Sequence, residues 1–125
     1  MSRRAFPVIY ATDVQRLVQF YEELGFEVTF RLPEEGEAGY VTMGRDESEL
    51  AVVDAEWPTE QLGVAVGAEP RFEMFVYVDD LEHTLDGLRD TGTTVIREPE
   101  LMPWGERLAY VADPEGNPVS LAAGG

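Results

Sequence analysis

Two stretches decide the fold: FPVIYATD at residues 6–13 and EMFVYVDD at residues 73–80. Each has the two-residue alternation of a strand and ends on an aspartate placed to cap a helix. The capping residues, Asp13 and Asp80, are separated by 80 − 13 = 67 positions, and the same offset carries Gly25 onto Gly92 and Val28 onto Val95. The chain therefore contains an internal repeat. Between cap and glycine, Val14, Leu17, Val18, Tyr21 and Leu24 in the first copy, and Leu81, Leu85 and Leu88 in the second, recur at helical spacing. Gly25 and Gly92 stand where a helix stops on a left-handed residue.

Outward from these stretches, strand-like runs follow each helix. The first copy supplies residues 27–31, 39–43 and 49–53, and the second supplies 94–97, 107–111 and 118–121. Turn residues separate them: PEEG at 33–36, GRDE at 44–47 and DPEGN at 113–117. Each copy reads β-α-β-β-β. The pattern predicts an α+β chain of two βαβββ modules forming a cupped mixed sheet, with the helices on its outer face. The whole of 1–125 is read as one domain: module 1 (5–53), a linker (54–70) and module 2 (71–122). Pro58, Gly63, Gly67 and Pro70 interrupt the linker, which is expected to carry a short helix or irregular cover.

Strand alternation assigns the faces. Phe72, Met74, Val76 and Val78 are uniformly apolar and belong against the helix, which leaves Glu73, Phe75 and Tyr77 on the opposite face. By the repeat, Phe6, Val8 and Tyr10 occupy the equivalent face of the first module. A sheet face that carries aromatics and one carboxylate, with no helix over it, reads as the lining of a groove.

Composition narrows the chemistry. Hydrophobic residues make up 44% of 125, enough for a real core. There is no cysteine, which excludes disulfides, thiolate metal sites and a cysteine nucleophile, and the single histidine, His83, excludes zinc sites built on several histidines. The net charge of −16 opposes nucleic acid and anionic lipid and attracts cations; it fits either a solubility surface or an acidic cleft for a cationic ligand. No apolar run approaches the ~20 residues of a membrane helix, and the opening MSRRAFPVIY is too short and strand-like for a secretory signal. A cytoplasmic protein is expected. No Gly-rich phosphate loop is present, and Ser120 has no histidine near it in sequence, so no nucleophile motif is found.

Three further pieces, in order along the repeat, carry a family resemblance: Asp13-Val14 before a helix ending FYEELGF at 20–26, VDDLE at 78–82, and DPEGNPVSL at 113–121. Together they resemble the vicinal-oxygen-chelate superfamily (glyoxalase, bleomycin resistance protein, dioxygenase) over essentially the whole chain. In the enzymes of that family a metal-ligating histidine usually lies about seven residues before the capping aspartate, and a ligating glutamate lies in the last strand. Here those positions hold Phe6 and Glu73, and Ser120. A divalent site needs three or four converging donors, so the resemblance implies a member without a metal or other cofactor. The opening FPVIYATDV at 6–14 and the PWGER turn at 103–107 are similar to the metal-free antibiotic-binding resistance proteins, in which two chains form grooves at their interface. The resemblance thus implies an antibiotic- or natural-product-binding protein that confers resistance by sequestration. It also implies a homodimer, with exchange of the N-terminal strand carrying Pro7 as an option.

The expected ligand is aromatic, with a cationic group as an option, and the expected contacts are Trp104, Glu73, Phe75, Phe6, Val8, Phe30, Tyr40, Trp57, Met102, Tyr110 and Arg107. Trp104, in a loop after Pro103, is either packed under the last sheet or a stacking plate. Trp57 covers the groove or packs in the core. Phe30, Tyr40 and Tyr110 lie on strands whose register the sequence does not fix. Met102, beside the Trp104 loop, is a flexible contact. Glu73 has three readings: an ion pair with Arg107, a partner for a cationic ligand, or a general base. His83 is expected on the exposed side of its helix. The alternative to a binding protein is an enzyme of the same superfamily, of isomerase, lyase or dioxygenase type, using an unforeseen metal site or Glu73 as base. A module with no ligand is a third possibility.

Overall fold

A computed structural model describes residues 4–63 and 65–123. The element order is β1 (Val8–Ala11), α1 (Val14–Glu23), β2 (Glu27–Leu32), β3 (Tyr40–Arg45), β4 (Ser48–Asp54), α2 (Glu56–Leu62), β5 (Met74–Val78), α3 (Leu81–Asp90), β6 (Thr94–Leu101), β7 (Arg107–Ala112) and β8 (Pro118–Ala123). The chain divides into two compact units, Met1–Gly67 and Ala68–Gly125. Each is a βαβββ module with a four-stranded mixed sheet, ordered β1-β4-β3-β2 in the first and β5-β8-β7-β6 in the second. The linker carries the short helix α2, closed by Gly63 at φ 68°.

The helix signals act as the sequence predicts. The side chain of Asp13 accepts a hydrogen bond from the backbone N–H of Arg16, and that of Asp80 from His83, both at 3.1 Å. Each cap satisfies one of the free amides at a helix start. Both helices stop in the same way. Gly25 and Gly92 have φ of 92° and 85°, a conformation glycine adopts without a Cβ penalty. Phe26 N–H then reaches back to Tyr21 C=O, and Thr93 N–H to Leu88 C=O. These bonds pair the terminal carbonyls that a frayed helix end would leave open.

In unit 1, α1 buries Val14, Leu17, Val18, Phe20 and Tyr21 against β4 and β2. Ile9, Val52 and Val41 share one register row on that face, and all three are buried. In unit 2, α3 buries Leu81, Leu85 and Leu88, and Val76, Leu121 and Ala109 form the equivalent row. His83 is exposed on α3.

Two features depart from simple alternation. Val28 pairs with Met43 and Phe30 with Thr42, so Thr29 is an extra residue in β2. Val95 pairs with Val111 and Arg97 with Tyr110, so Ile96 is an extra residue in β6. The bulges recur at the repeat offset, 96 − 29 = 67. β6 also runs to Leu101, beyond the expected end at residue 97, through Pro99 and a second irregularity between Arg97 and Glu100. An edge strand tolerates the missing proline donor because its outer side has no ladder to feed.

The DPEGN turn is the best-tied loop in unit 2. The Asp113 carboxylate accepts from the N–H of Glu115 and of Asn117 at 2.9 Å and from Asn117 Nδ2 at 3.1 Å. The Asn117 side-chain oxygen accepts from Arg71 N–H at 3.1 Å, which ties the run before β5 to the start of β8. Asp113 and Asn117 are both buried. This motif sets the register of β8 and thereby the placement of Ser120. No helix among the described residues is long and apolar enough to cross a membrane.

Candidate functional site

Each sheet has a second face, opposite its helix. In unit 1 two register rows cross it: Val8, Ala51, Thr42 and Phe30, then Tyr10, Val53, Tyr40 and Leu32. Registered neighbours point to the same side of a sheet, so the rows place Val8, Phe30 and Tyr40 together, which the sequence left open for Phe30 and Tyr40. Phe30 and Tyr40 meet edge to face, with ring centroids 6.5 Å apart. Val8, Phe30 and Leu32 are exposed although apolar. Arg4 lies over the Phe6 ring at 5.2 Å and pairs with Glu49 at 2.6 Å, so Phe6 is part-covered by its own neighbours. That contact holds the Arg4 guanidinium above its ordinary pKa and the Glu49 carboxyl below its own, through the hydrogen bond they share.

Helix α2 closes one end of this face. Trp57, exposed on α2, joins Val8, Leu32, Pro33, Tyr40 and Val53 around a half-open pocket of about 790 Å³. Its rim carries Asp54, Glu56 and Glu60 and, among the described residues, no cationic one. The walls are apolar and aromatic, the rim is acidic, and the volume is that of a drug-sized ligand site. Leu32, Val53 and the three rim carboxylates were not anticipated. Leu32 follows Arg31, one residue past the strand the sequence predicts, and only its register with Tyr40 places it here.

In unit 2 the corresponding rows are Phe75, Ser120, Tyr110 and Arg97, then Tyr77, Ala122, Leu108 and Glu100. Phe75 and Tyr77 are exposed, with ring centroids 5.2 Å apart. Ser120, fully buried, donates to Glu73 Oε2 at 3.0 Å. Met102 packs on Leu108 and Ala122 beside Tyr110 and is nearly covered, so it is a packing residue of this face. Trp104 is exposed in the turn before β7, and its indole N–H donates to Glu106 Oε1 at 2.8 Å. It does not pack under the sheet.

The Glu73–Arg107 ion pair, one of the three readings of Glu73, is not formed. Arg107 shares the strand face of the buried Ala109 and Val111, which is the helix side, and it pairs with Glu82 in the first turn of α3. Glu73 lies on the other face, and alternation along β7 keeps the two apart. Arg107 therefore does not join the open face. Glu73 has no salt-bridge partner among the described residues.

Residues 5–121 match the family described as Glyoxalase/Bleomycin resistance protein/Dioxygenase superfamily. The chain belongs to this superfamily. A bleomycin resistance protein of Klebsiella pneumoniae is 28% identical over 131 residues, covering 97% of this chain and 92% of that protein. A probable lactoylglutathione lyase of Synechocystis sp. (strain ATCC 27184 / PCC 6803 / Kazusa) is 31% identical over 121 residues, covering 91% and 89%. Among solved structures, a bleomycin-binding protein complexed with bleomycin superposes with a TM-score of 0.65 at 23% identity, covering 99% of this chain and all of that one. At that identity the likeness is one of fold.

The superfamily resemblance raises the question of a metal. The positions it points to are Phe6, Glu73 and Ser120, and Ala51 lies in unit 1 where Ser120 lies in unit 2, one strand from Val8 as Ser120 is from Phe75. Phe6 and Ala51 offer no donor atom. The Ser120 hydroxyl proton is directed at Glu73. Among the described residues no three His, Cys, Asp or Glu side chains come together. One carboxylate and one hydroxyl fall short of the donor set a divalent ion requires, so the residues present do not fit a metal at these positions.

Proposed function

We propose that this protein binds a small, flat organic molecule of the antibiotic or natural-product class and sequesters it without transforming it, in a groove completed by a second copy of the chain. The carrying observation is the 790 Å³ pocket of unit 1, walled by Val8, Leu32, Tyr40 and Trp57 and rimmed by Asp54, Glu56 and Glu60. Aromatic walls favour a planar ligand by stacking, and a rim of one charge sign favours a cationic group on it. The 28% identity to a bleomycin resistance protein supports the same reading, as does the lack of a fitting metal donor set among the described residues.

The test is calorimetric titration with bleomycin and, separately, with proflavine as a planar cationic probe. Saturable binding of either with stoichiometric recovery of the unchanged ligand supports sequestration. No binding of either probe in the micromolar range, with no thermal stabilisation at excess ligand, opposes it. The 31% identity to a probable lactoylglutathione lyase favours one competing reading, an enzyme of the same superfamily using a metal held elsewhere or Glu73 as base. Formation or breakdown of lactoylglutathione by the purified protein, lost in Glu73→Gln, would replace the binding reading with that one.

A further inference from the structure

We propose that Glu106 is a positioning residue that turns Trp104, an exposed loop side chain, into a fixed plate beside the Phe75–Tyr77 ring pair, set to stack on a planar ligand. The proposal rests on the binding reading above and adds to it a device in unit 2.

Trp104 is 61% exposed in a turn. An indole in that position gains little from packing and, left to itself, samples several rotamers. Here three sets of contacts restrain it. The turn is closed by Met102 N–H to Glu106 C=O at 2.8 Å and Gly105 N–H to Met102 C=O at 2.9 Å. Gly105 sits at φ 97°, which a residue with a Cβ adopts only with strain. Below the turn, Met102 is anchored on Leu108 and Ala122. Neither contact reaches the indole, however. The bond that does is Trp104 Nε1–H to Glu106 Oε1 at 2.8 Å.

Glu106 also reaches the sheet. The Tyr77 hydroxyl hydrogen-bonds to it, and this bond, ahead of burial, holds the Tyr77 phenol above its ordinary pKa. Tyr77 in turn lies against Phe75, with centroids 5.2 Å apart. One carboxylate thus joins the aromatic row of β5 to the turn before β7. Glu106 forms no salt bridge among the described residues, and the neighbouring cation, Arg107, is turned to the other face and paired with Glu82. Its carboxylate therefore serves neutral donors, as an orienting group does. A side chain already held in its bound orientation loses less entropy when a ligand arrives.

The test uses a Trp57→Phe background, which makes Trp104 the only tryptophan of the two in the chain. Time-resolved fluorescence anisotropy should show little nanosecond rotation of the indole in that background and pronounced rotation after Glu106→Ala. Glu106→Gln, whose amide oxygen still accepts the indole proton, should restore most of the order. Proflavine affinity, measured with Trp57 in place, should fall about five- to tenfold in Glu106→Ala, the usual cost of ordering one long side chain on binding, and recover in Glu106→Gln. An anisotropy decay unchanged by Glu106→Ala overturns the proposal, because the turn backbone alone would then hold the ring. A loosened indole with undiminished proflavine affinity overturns it too, since the plate would serve no ligand. If the protein with Trp57 in place binds no proflavine while the indole loosens as expected, the restraint by Glu106 stands and the binding reading alone fails. Should Glu106→Ala not fold, hydrogen exchange in the unmodified protein decides: the Trp104 indole proton should exchange more slowly than that of Trp57, and equal rates overturn the proposal.

Discussion

Trp57→Ala and Trp104→Ala should weaken ligand binding in proportion to the indole surface each offers. Trp57 is 46% exposed and Trp104 61%. For a side chain of roughly 250 Å² these fractions correspond to about 115 and 150 Å². A flat ligand covers one face of a ring, so about half of each area is lost to it. At ~25 cal/mol per Å² the gain is about 1.5 kcal/mol at Trp57 and about 2 kcal/mol at Trp104. Those values correspond to Kd increases of roughly tenfold and thirtyfold on truncation. Protein stability should change by less than ~1 kcal/mol, because the surface removed already faces solvent. Proflavine titration calorimetry at low and high salt is the assay. Stacking and desolvation are nearly indifferent to salt, whereas the share from Asp54, Glu56 and Glu60 should fade as the Debye length falls from ~10 Å at 0.1 M to ~3 Å at 1 M. Two variants that bind like the parent would refute the assignment of these faces. A tryptophan effect that disappears at high salt would refute the stacking argument even if binding itself survives.

Asn117→Ala should destabilise the fold by about 3 kcal/mol in urea unfolding, since it removes a bond to the buried Asp113 carboxylate and the partner of Arg71 N–H; a loss under 1 kcal/mol would show that the turn is not needed to hold β8. Glu73→Gln should reduce affinity for proflavine and leave a neutral planar analogue nearly unchanged, and equal losses for both would place the charge recognition elsewhere. Elemental analysis of purified protein should find no stoichiometric zinc, iron or manganese, and chelator should leave Tm unmoved; about one equivalent of any of them would contradict the donor argument at Phe6, Ala51 and Ser120. Sedimentation at micromolar concentration should show a homodimer, because Phe30, Leu32, Phe75 and Tyr77 leave much apolar surface exposed; a monomer throughout would reject that.

The sequence determined by itself whatever depends on local signals. Asp13 and Asp80 cap the next turn of their own helices, Gly25 and Gly92 adopt positive φ within one residue of the helix end, and the strand period puts Phe75 and Tyr77 opposite Val76 and Val78. Each signal acts over a few residues, and the offset of 67 repeats them, so the two βαβββ modules were legible before any contact was known. The family pattern was legible for the same reason: DPEGN is a local turn whose aspartate and asparagine bond each other.

Only the tertiary structure decided what depends on pairing between strands. A bulge adds one residue and reverses the alternation beyond it, so the side of the sheet that Phe30 faces follows from Thr29 standing unpaired, which no periodicity reveals. Arg107 was grouped with Glu73 by charge, but its parity on β7 turns it to Glu82 instead. The pocket over unit 1 exists because α2 brings Trp57 and two carboxylates over Leu32 and Tyr40, residues 16 or more positions away in sequence. Glu106 gave no sign of a role in the sequence, because its two partners lie on the adjoining turn and on a strand 29 residues earlier (106 − 77). Local chemistry is written within a few residues of itself, whereas register and long-range hydrogen bonds are settled by the competition among whole strands for the same buried face.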